Sequence, residues 1–134
     1  MMFTTDRICL DPDFGPEIGL RRYRNWISTE FETGRSEVIS IINRGIPVGF
    51  SMFRMSGDVC DVLLGGIFEQ YQNKGLGLLI PISPALYLHQ NNLQCRIMET
   101  RISSNNYPVI EFYNYLNYKI DKITNVFIKH QYAR

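Results

Sequence analysis

The segment from Val59 to Gly77 constrains the fold of this chain more than any other part of the sequence. It begins with the apolar run Val59 to Phe68, which predicts a long central β-strand. Gly65 and Gly66 interrupt the run, and a pair of residues without side chains indicates a bulge or a close backbone approach. The sequence Gln72-Asn73-Lys74-Gly75-Leu76-Gly77 follows, and after it an apolar segment. This order predicts a strand that leads through a glycine-containing turn into a helix.

The residues before this segment predict a helix and then an antiparallel hairpin. Pro16 suits the first turn of a helix, and Gly34 suits its end. Two apolar, β-branched runs, Glu37 to Ile42 and Val48 to Phe53, flank the turn sequence Asn43-Arg44-Gly45. With the central strand, these runs predict a three-stranded meander. The expected inward face of the helix carries Leu20, Tyr23, Ile27 and Phe31.

The residues after this segment predict a helix, a strand and a second helix. The first helix is expected to begin near Gly75 and to end at Asn91 or Asn92, with a kink or a restart capped by Ser83 because of two internal prolines. Gln94 to Thr100 alternates like a strand, and Asn106 with Pro108 opens the second helix. Asn117 is expected to end this helix in a left-handed conformation.

Two short strands, residues 118–122 and 125–130, are predicted at the end of the chain. The complete order of elements predicts an α/β fold, with a mixed, mostly antiparallel sheet flanked by helices. With 134 residues, 45% of them hydrophobic, the chain is expected to form one domain, residues 1–134.

Composition excludes several classes of function. The net charge is +1 and the basic residues are scattered, so nucleic acid is not an expected partner. Apolar stretches stay well short of the roughly 18 residues that span a bilayer, and we find no secretory signal, so a cytoplasmic protein without membrane contact is expected. Cys9, Cys60 and Cys95 lack metal-ligand spacing and are expected to be reduced, structural thiols, with no metal site.

The chemistry of the 72–77 segment follows from its position between a strand and a helix. Main-chain amides at a helix start, with glycines that let the backbone come close, form a cradle for a diphosphate. The segment is neither a P-loop nor a dinucleotide fingerprint, because the required residues and spacing are absent. From these residues alone, an ordinary glycine-rich turn is the alternative.

A second motif runs from Asn106 to Tyr118, with the pair Phe112-Tyr113 and then Tyr115-Leu116. Together, the apolar strand with Gln72-x-x-Gly75-x-Gly77 and this second motif resemble the two signatures of the GNAT superfamily of N-acetyltransferases. They are in the family's order and cover about the last 80 residues. Asn117 and Tyr118 stand where the family usually has Gly and Phe, which leaves the fold compatible because Asn tolerates a left-handed conformation.

The resemblance implies a GNAT fold that is shortened at the N-terminus. It also implies that acetyl-CoA is the acetyl donor. It implies that the amides of Asn73, Lys74, Gly75, Leu76 and Gly77, after Gln72, hold the pyrophosphate. It further implies that the backbone of Ile67 and Phe68 pairs with the pantetheine arm, and that the thioester lies where the central strand and the Gln94 to Thr100 strand separate. Tyr113 matches the family's general acid, which protonates the departing thiolate; a core aromatic is the alternative. Asn106 either orients the same site or caps its helix.

The general base is less well defined by the sequence. Asp61 lies on the central strand at a position where some GNAT enzymes carry a base, and an exposed strand residue is the alternative. His89 and His130 are expected to face solvent. Glu69 and Glu99 are weaker candidates.

The acceptor is suggested only by a looser likeness. Asp11-Pro12-Asp13-Phe14, Tyr23 to Ile27 and the Thr100 to Tyr113 run are similar to dTDP-fucosamine acetyltransferases, whose products feed surface polysaccharide. This likeness implies a dTDP-4-amino-4,6-dideoxyhexose as acceptor; a protein terminus, a polyamine, or a non-catalytic acyl-CoA-binding module are the alternatives. Such relatives carry more chain before this point, so an open sheet edge, and with it a possible homodimer, is expected.

Overall fold

The computed structural model describes residues 5–131, which form a four-stranded mixed sheet with helices packed against it. In chain order the elements are α1 (Arg7–Leu10), α2 (Gly15–Thr33), β1 (Glu37–Asn43), β2 (Ile46–Ser56), β3 (Val59–Ile67), a 3₁₀ turn (Glu69–Tyr71), α3 (Leu79–Gln90), β4 (Ile97–Thr100) and α4 (Tyr107–Tyr115). The sheet order is β1-β2-β3-β4. Neighbours are antiparallel up to β3, and β3 pairs with β4 in parallel. The predicted fold class is confirmed.

Helices α2 and α3 lie on opposite faces of the sheet. Phe53 on β2 packs with Leu88 of α3 in a buried cluster that includes Cys60 and Val62 of β3. The next residue, Arg54, points the other way, because neighbouring side chains in a strand alternate, and its guanidinium contacts the carboxylate of Glu30 on α2 at 2.9 Å. The sheet is therefore covered on both sides.

The predicted ends of α2 are confirmed, but one of its inward residues is not. Pro16 lies in the first turn, and Gly34 ends the helix in a left-handed conformation with φ +63°. The Phe31 side chain, however, is 71% exposed. The buried residue in this last part of α2 is Glu30, whose carboxylate accepts hydrogen bonds from Ser36, Arg54 and Trp26. A polar network, rather than an apolar contact, joins this end of the helix to the sheet.

Helix α3 begins at Leu79 instead of near Gly75. The amides of Leu79 and Ile80 bond to carbonyls three residues earlier, as in a tight first turn, and residues 72–78 form the loop before it. The helix is continuous through Pro84, so the predicted restart is wrong. Ser83 donates a hydrogen bond to the carbonyl of Leu79 and is not a cap.

The second predicted helix and its stop are confirmed, whereas the two strands after it are not formed. Asn117 has φ +61° and follows α4, as expected from its tolerance of this conformation. Residues 118–131 are paired with no strand in the part of the chain that the structure describes. Strand β4 is also shorter than predicted, Ile97–Thr100 instead of 94–100. Alternating apolar residues favour extended backbone, but a strand also needs a neighbour with free hydrogen-bonding groups. Within residues 5–131, no helix is both long and apolar enough to cross a bilayer.

Candidate functional site

Strands β3 and β4 form a fork. They pair only between Val59–Val62 and Ile97–Thr100, although β3 continues to Ile67. Within residues 5–131, the edge of β3 that faces β4 therefore has no partner strand at positions 63–67. Such an edge carries main-chain donors and acceptors that an extended ligand can bond. The predicted separation of these strands is present in the structure.

Tyr113 of α4 lies beside the fork and is the buried residue of its helix. The residue is 6% exposed, and burial raises the pKa of its hydroxyl to about 12, while the nearby Thr100 side chain acts in the opposite direction. Thr100 is the last residue of β4 that pairs with β3, so the Tyr113 hydroxyl lies near the point where the strands separate.

The left-handed turn at Asn117 completes the surroundings of Tyr113. The turn brings the Tyr118 amide back to donate to the Tyr113 carbonyl at 3.0 Å. It also places the two rings edge to face, with centroids 4.8 Å apart. The aromatic residues of the second sequence motif thus hold Tyr113 in one position.

The loop of residues 72–77 presents its main-chain amides. The amides of residues 73–77 donate to no acceptor within residues 5–131. Asn73 and Gly75 have φ +59° and +73°, and left-handed residues within a short turn can aim neighbouring N–H groups toward one side. The Gln72 side chain fixes the loop to the strand, because its amide donates to the Ile67 carbonyl at 3.0 Å.

Two glycines bring the loop and α3 close to their neighbours. A Cβ on Gly77 would lie 2.5 Å from an edge atom of the Phe112 ring, so a side chain there would push α4 away. A Cβ on Gly65 would lie 2.5 Å from the side chain of Ile80 on α3. The glycines therefore permit the close packing that holds the loop, the fork and α4 together.

Asp61 lies one residue before the fork, on β3. One carboxylate oxygen is 3.3 Å from the Arg101 guanidinium. The other oxygen, Oδ1, is buried and has no hydrogen-bond donor in the described part of the chain. A buried acceptor without a donor is unusual, and it can accept a proton or a hydrogen bond from a ligand.

Asn106 is at the N-cap position of α4, but its side chain makes no capping hydrogen bond. The expectation that this side chain caps the helix is therefore wrong. Asn106 joins the helix through its main chain, because the Ile110 amide donates a hydrogen bond to the Asn106 carbonyl. His89 is exposed, as expected, and Glu69 and Glu99 are exposed as well.

His130 does not face solvent as expected. Its side chain is 22% exposed, with one ring nitrogen 2.9 Å from Asp11 and the other 3.5 Å from Asp13. Its ring also packs against Phe14, with centroids 4.8 Å apart. These contacts join the end of the described chain to the turn before α2, and no local sequence pattern connects residues so far apart.

The fold defined by this sheet, the fork and the loop is that of GNAT acetyltransferases. The structure is similar to a putative acetyltransferase of Bacillus subtilis, YycN, with a TM-score of 0.63, 14% identity, and coverage of 90% of this chain and 78% of that one. It is similar to the aminoglycoside N-acetyltransferase AAC(6')-Iy in complex with CoA, with a TM-score of 0.58, 13% identity, and coverage of 84% and 90%. A ribosomal-protein-alanine N-acetyltransferase of Brucella melitensis gives a TM-score of 0.59, 12% identity, and coverage of 82% and 88%. No protein-family model and no curated protein sequence match the chain.

Proposed function

We propose that this protein is an N-acetyltransferase that moves the acetyl group of acetyl-CoA to a primary amine. The observation that carries the proposal is the row of main-chain amides at residues 73–77, without acceptors within residues 5–131, at the end of a strand whose edge has no partner strand at positions 63–67. A diphosphate fits such a row because each N–H can donate to a phosphate oxygen, and the start of α3 adds a favourable dipole.

The part of the β3 edge that has no partner strand suits the pantetheine arm of the donor. This arm contains two amide groups, which can bond to the main chain of residues 63–67 as an added strand would. Ile67 and Phe68 are at the loop end of this edge, and the Phe68 amide already bonds to the Val48 carbonyl on the other side at 2.8 Å. The arm would thus run from the loop toward the end of the fork, where Tyr113 lies.

Tyr113 is the proposed general acid. Attack of the amine nitrogen on the acetyl carbonyl carbon forms the C–N bond, and collapse breaks the C–S bond with the electron pair on sulfur. A phenol with a pKa of about 12 stays protonated at neutral pH, so it can donate a proton to the departing sulfur. Asp61, through its Oδ1 without a donor, is the proposed base that takes the proton of the attacking amine.

The proposed acceptor is a nucleotide-linked amino sugar, a dTDP-4-amino-4,6-dideoxyhexose, used in the cytoplasm for surface polysaccharide. The support is the likeness of the Asp11 to Phe14 turn to such enzymes, and this turn is anchored by His130. Similar structures are named for aminoglycoside and for ribosomal-protein-alanine acetylation, so they support an amine acceptor without favouring the sugar.

One experiment tests the function and its acceptor. Release of CoA is measured with acetyl-CoA and a panel of amines: dTDP-amino sugars, aminoglycosides, N-terminal peptides and spermidine. We expect turnover with at least one amine and the highest kcat/KM with the dTDP-amino sugar. Preference for a peptide or spermidine contradicts the sugar. Tight acetyl-CoA binding by calorimetry with no turnover on any amine supports the non-catalytic acyl-CoA-binding module instead.

We also propose that the protein is a homodimer. The support is a row of exposed apolar side chains in the segment after α4, which pairs with no strand in the described part of the chain. The row consists of Ile120, Ile123, Val126 and Phe127, and Phe127 is 93% exposed. An apolar extended segment and an open sheet edge favour association with another chain. Light scattering after size-exclusion chromatography tests this, and a monomeric mass that does not change as the protein concentration is raised contradicts it.

A further inference from the structure

A cleft of about 420 Å³ lies between the β1–β2 hairpin and the loop that follows β3. The hairpin contributes Asn43, Arg44 and Ile46, and the other wall contains Tyr71, Lys74 and Leu76. Because the sheet order is β1-β2-β3-β4, this hairpin is on the side of β3 away from the fork. The cleft is thus next to the 72–77 loop but separate from the edge of β3 that the donor's arm would follow.

The cleft carries two positive charges and no lining carboxylate. Arg44 and Lys74 form no ion pair within residues 5–131. The Lys74 ammonium is 5.6 Å from the centre of the Tyr71 ring, so its polar contact is to an aromatic face. Two such cations around an apolar and aromatic pocket favour a phosphate-bearing ligand with a planar ring.

The main chain holds Arg44 at the tip of the hairpin. Arg44 and Gly45 have φ +50° and +79°, the pattern of a tight hairpin turn with both central residues left-handed. Asn, Asp and Gly are the residues that favour the first of these positions, and arginine does not. A side chain kept at a backbone position that disfavours it points to a role for that side chain.

We propose that this cleft binds the 3′-phosphorylated ribose end of the donor, with Arg44 as the residue that recognises the phosphate monoester. The proposal rests on the proposed function, because Lys74 and Leu76 belong both to the diphosphate loop and to the cleft. A donor whose diphosphate lies on the amides of residues 73–77 has its nucleoside end within reach of the hairpin. The planar guanidinium of Arg44 can then donate two parallel hydrogen bonds to phosphate oxygens, and Tyr71 can contact the base.

The test compares two ligands on three proteins. Dissociation constants for CoA and for 3′-dephospho-CoA are measured by calorimetry on the wild type, on Arg44→Gln, and on Arg24→Gln, which removes an exposed cation of α2 as a matched control. We expect the wild type and the control to prefer CoA by about ten-fold or more, the scale of one charge-assisted interaction, and Arg44→Gln to lose that preference. An equal effect of Arg44→Gln on both ligands, or no effect on either, overturns the assignment.

A second pair of ligands separates this proposal from the proposed function. Adenosine 3′,5′-bisphosphate and adenosine 5′-monophosphate carry the nucleoside end without the pantetheine arm. If the wild type does not bind CoA, the proposed function is wrong. Binding of the bisphosphate over the monophosphate, lost in Arg44→Gln, then still supports the cleft, whereas equal or absent binding of the two overturns it. Circular dichroism checks that the Arg44→Gln chain is folded.

Discussion

The hydroxyl group of Thr100 donates a hydrogen bond of 2.9 Å to the main-chain carbonyl of Val62, across the last paired position of β3 and β4. Beyond this contact the two strands separate. The same Thr100 side chain lies close enough to Tyr113 to lower the pKa of its hydroxyl. One residue therefore marks where the fork opens and touches the side chain proposed to donate a proton there.

Replacement of Thr100 by Val should destabilise the protein while keeping its shape. The Val62 carbonyl loses its donor from Thr100, and a lost or unmade hydrogen bond of this kind costs about 1–3 kcal/mol. Urea denaturation gives the difference in the free energy of unfolding. Thr124→Val, in the exposed segment after α4, is the matched control and should change stability little. Equal stability of Thr100→Val and the wild type would show that the contact is not maintained in solution.

Replacement of Tyr113 by Phe should lower turnover by about ten-fold or more with little change in acetyl-CoA affinity, because only the proton donor is removed. The matched control is Tyr115→Phe, since Tyr115 is on the same helix and 78% exposed. Steady-state kinetics gives kcat, and calorimetry gives the dissociation constant. If the Tyr113 and Tyr115 variants have the same kcat, Tyr113 is only a core aromatic residue.

The pH dependence of turnover tests the same residue in another way. With a pKa of about 12, the Tyr113 hydroxyl is protonated in nearly all molecules at pH 10. Turnover should therefore rise with pH as the acceptor amine loses its proton, and it should not fall again between pH 8 and pH 10. A fall in kcat within that range, absent from Tyr113→Phe, would mean that the hydroxyl titrates far below the value that burial imposes.

Much of the fold could be predicted because its signals are local. Pro16 and Gly34 fix the ends of α2, and Gly45 favours the hairpin turn, since each acts through the backbone preference of a single residue. The loop of residues 72–77 and the second motif could be found for the same reason. Their side chains and glycines lie in continuous stretches of sequence.

What could not be predicted depends on residues that are distant in the chain. The start of α3 moves to Leu79 because residues 72–78 bond and pack as a loop against Ile67 and Phe112. The alternation of residues 118–130 predicts strands, but no partner strand in the described chain accepts them. His130 contacts Asp11 across most of the sequence, and Phe31 stays exposed because Glu30 makes the contact with the sheet.

Replacement of Gly77 by Ala should destabilise the protein through a collision with Phe112. The new Cβ would be 2.5 Å from the ring, and overpacking of this kind costs about 1–3 kcal/mol. A smaller side chain in Phe112→Leu should recover part of this loss in the double variant, as measured by urea denaturation. Gly75→Ala is the control, because its cost comes from φ +73° in open space. Phe112→Leu should therefore not rescue it, and equal rescue of both variants would contradict the contact.

The contact between Asp11 and His130 should make stability depend on pH in the acid range. Burial acts to raise the pKa of Asp11, but the hydrogen bonds from His130 and from the amides of Asp13 and Phe14 outweigh it and hold the pKa below its usual value. A lowered pKa in the folded state means that the charged form stabilises the fold above the unfolded value of about 3.9, and that this contribution disappears as the pH falls through the folded value.

Asp11→Asn keeps an oxygen for the two amides and loses the charge, so it should be less stable than the wild type at pH 7 and equally stable near pH 2. Urea denaturation across this range measures the difference, and Asp121→Asn, an exposed carboxylate, is the control. A stability gap between Asp11→Asn and the wild type that stays constant from pH 7 to pH 2 would show that the charge of Asp11 does not hold the end of the chain.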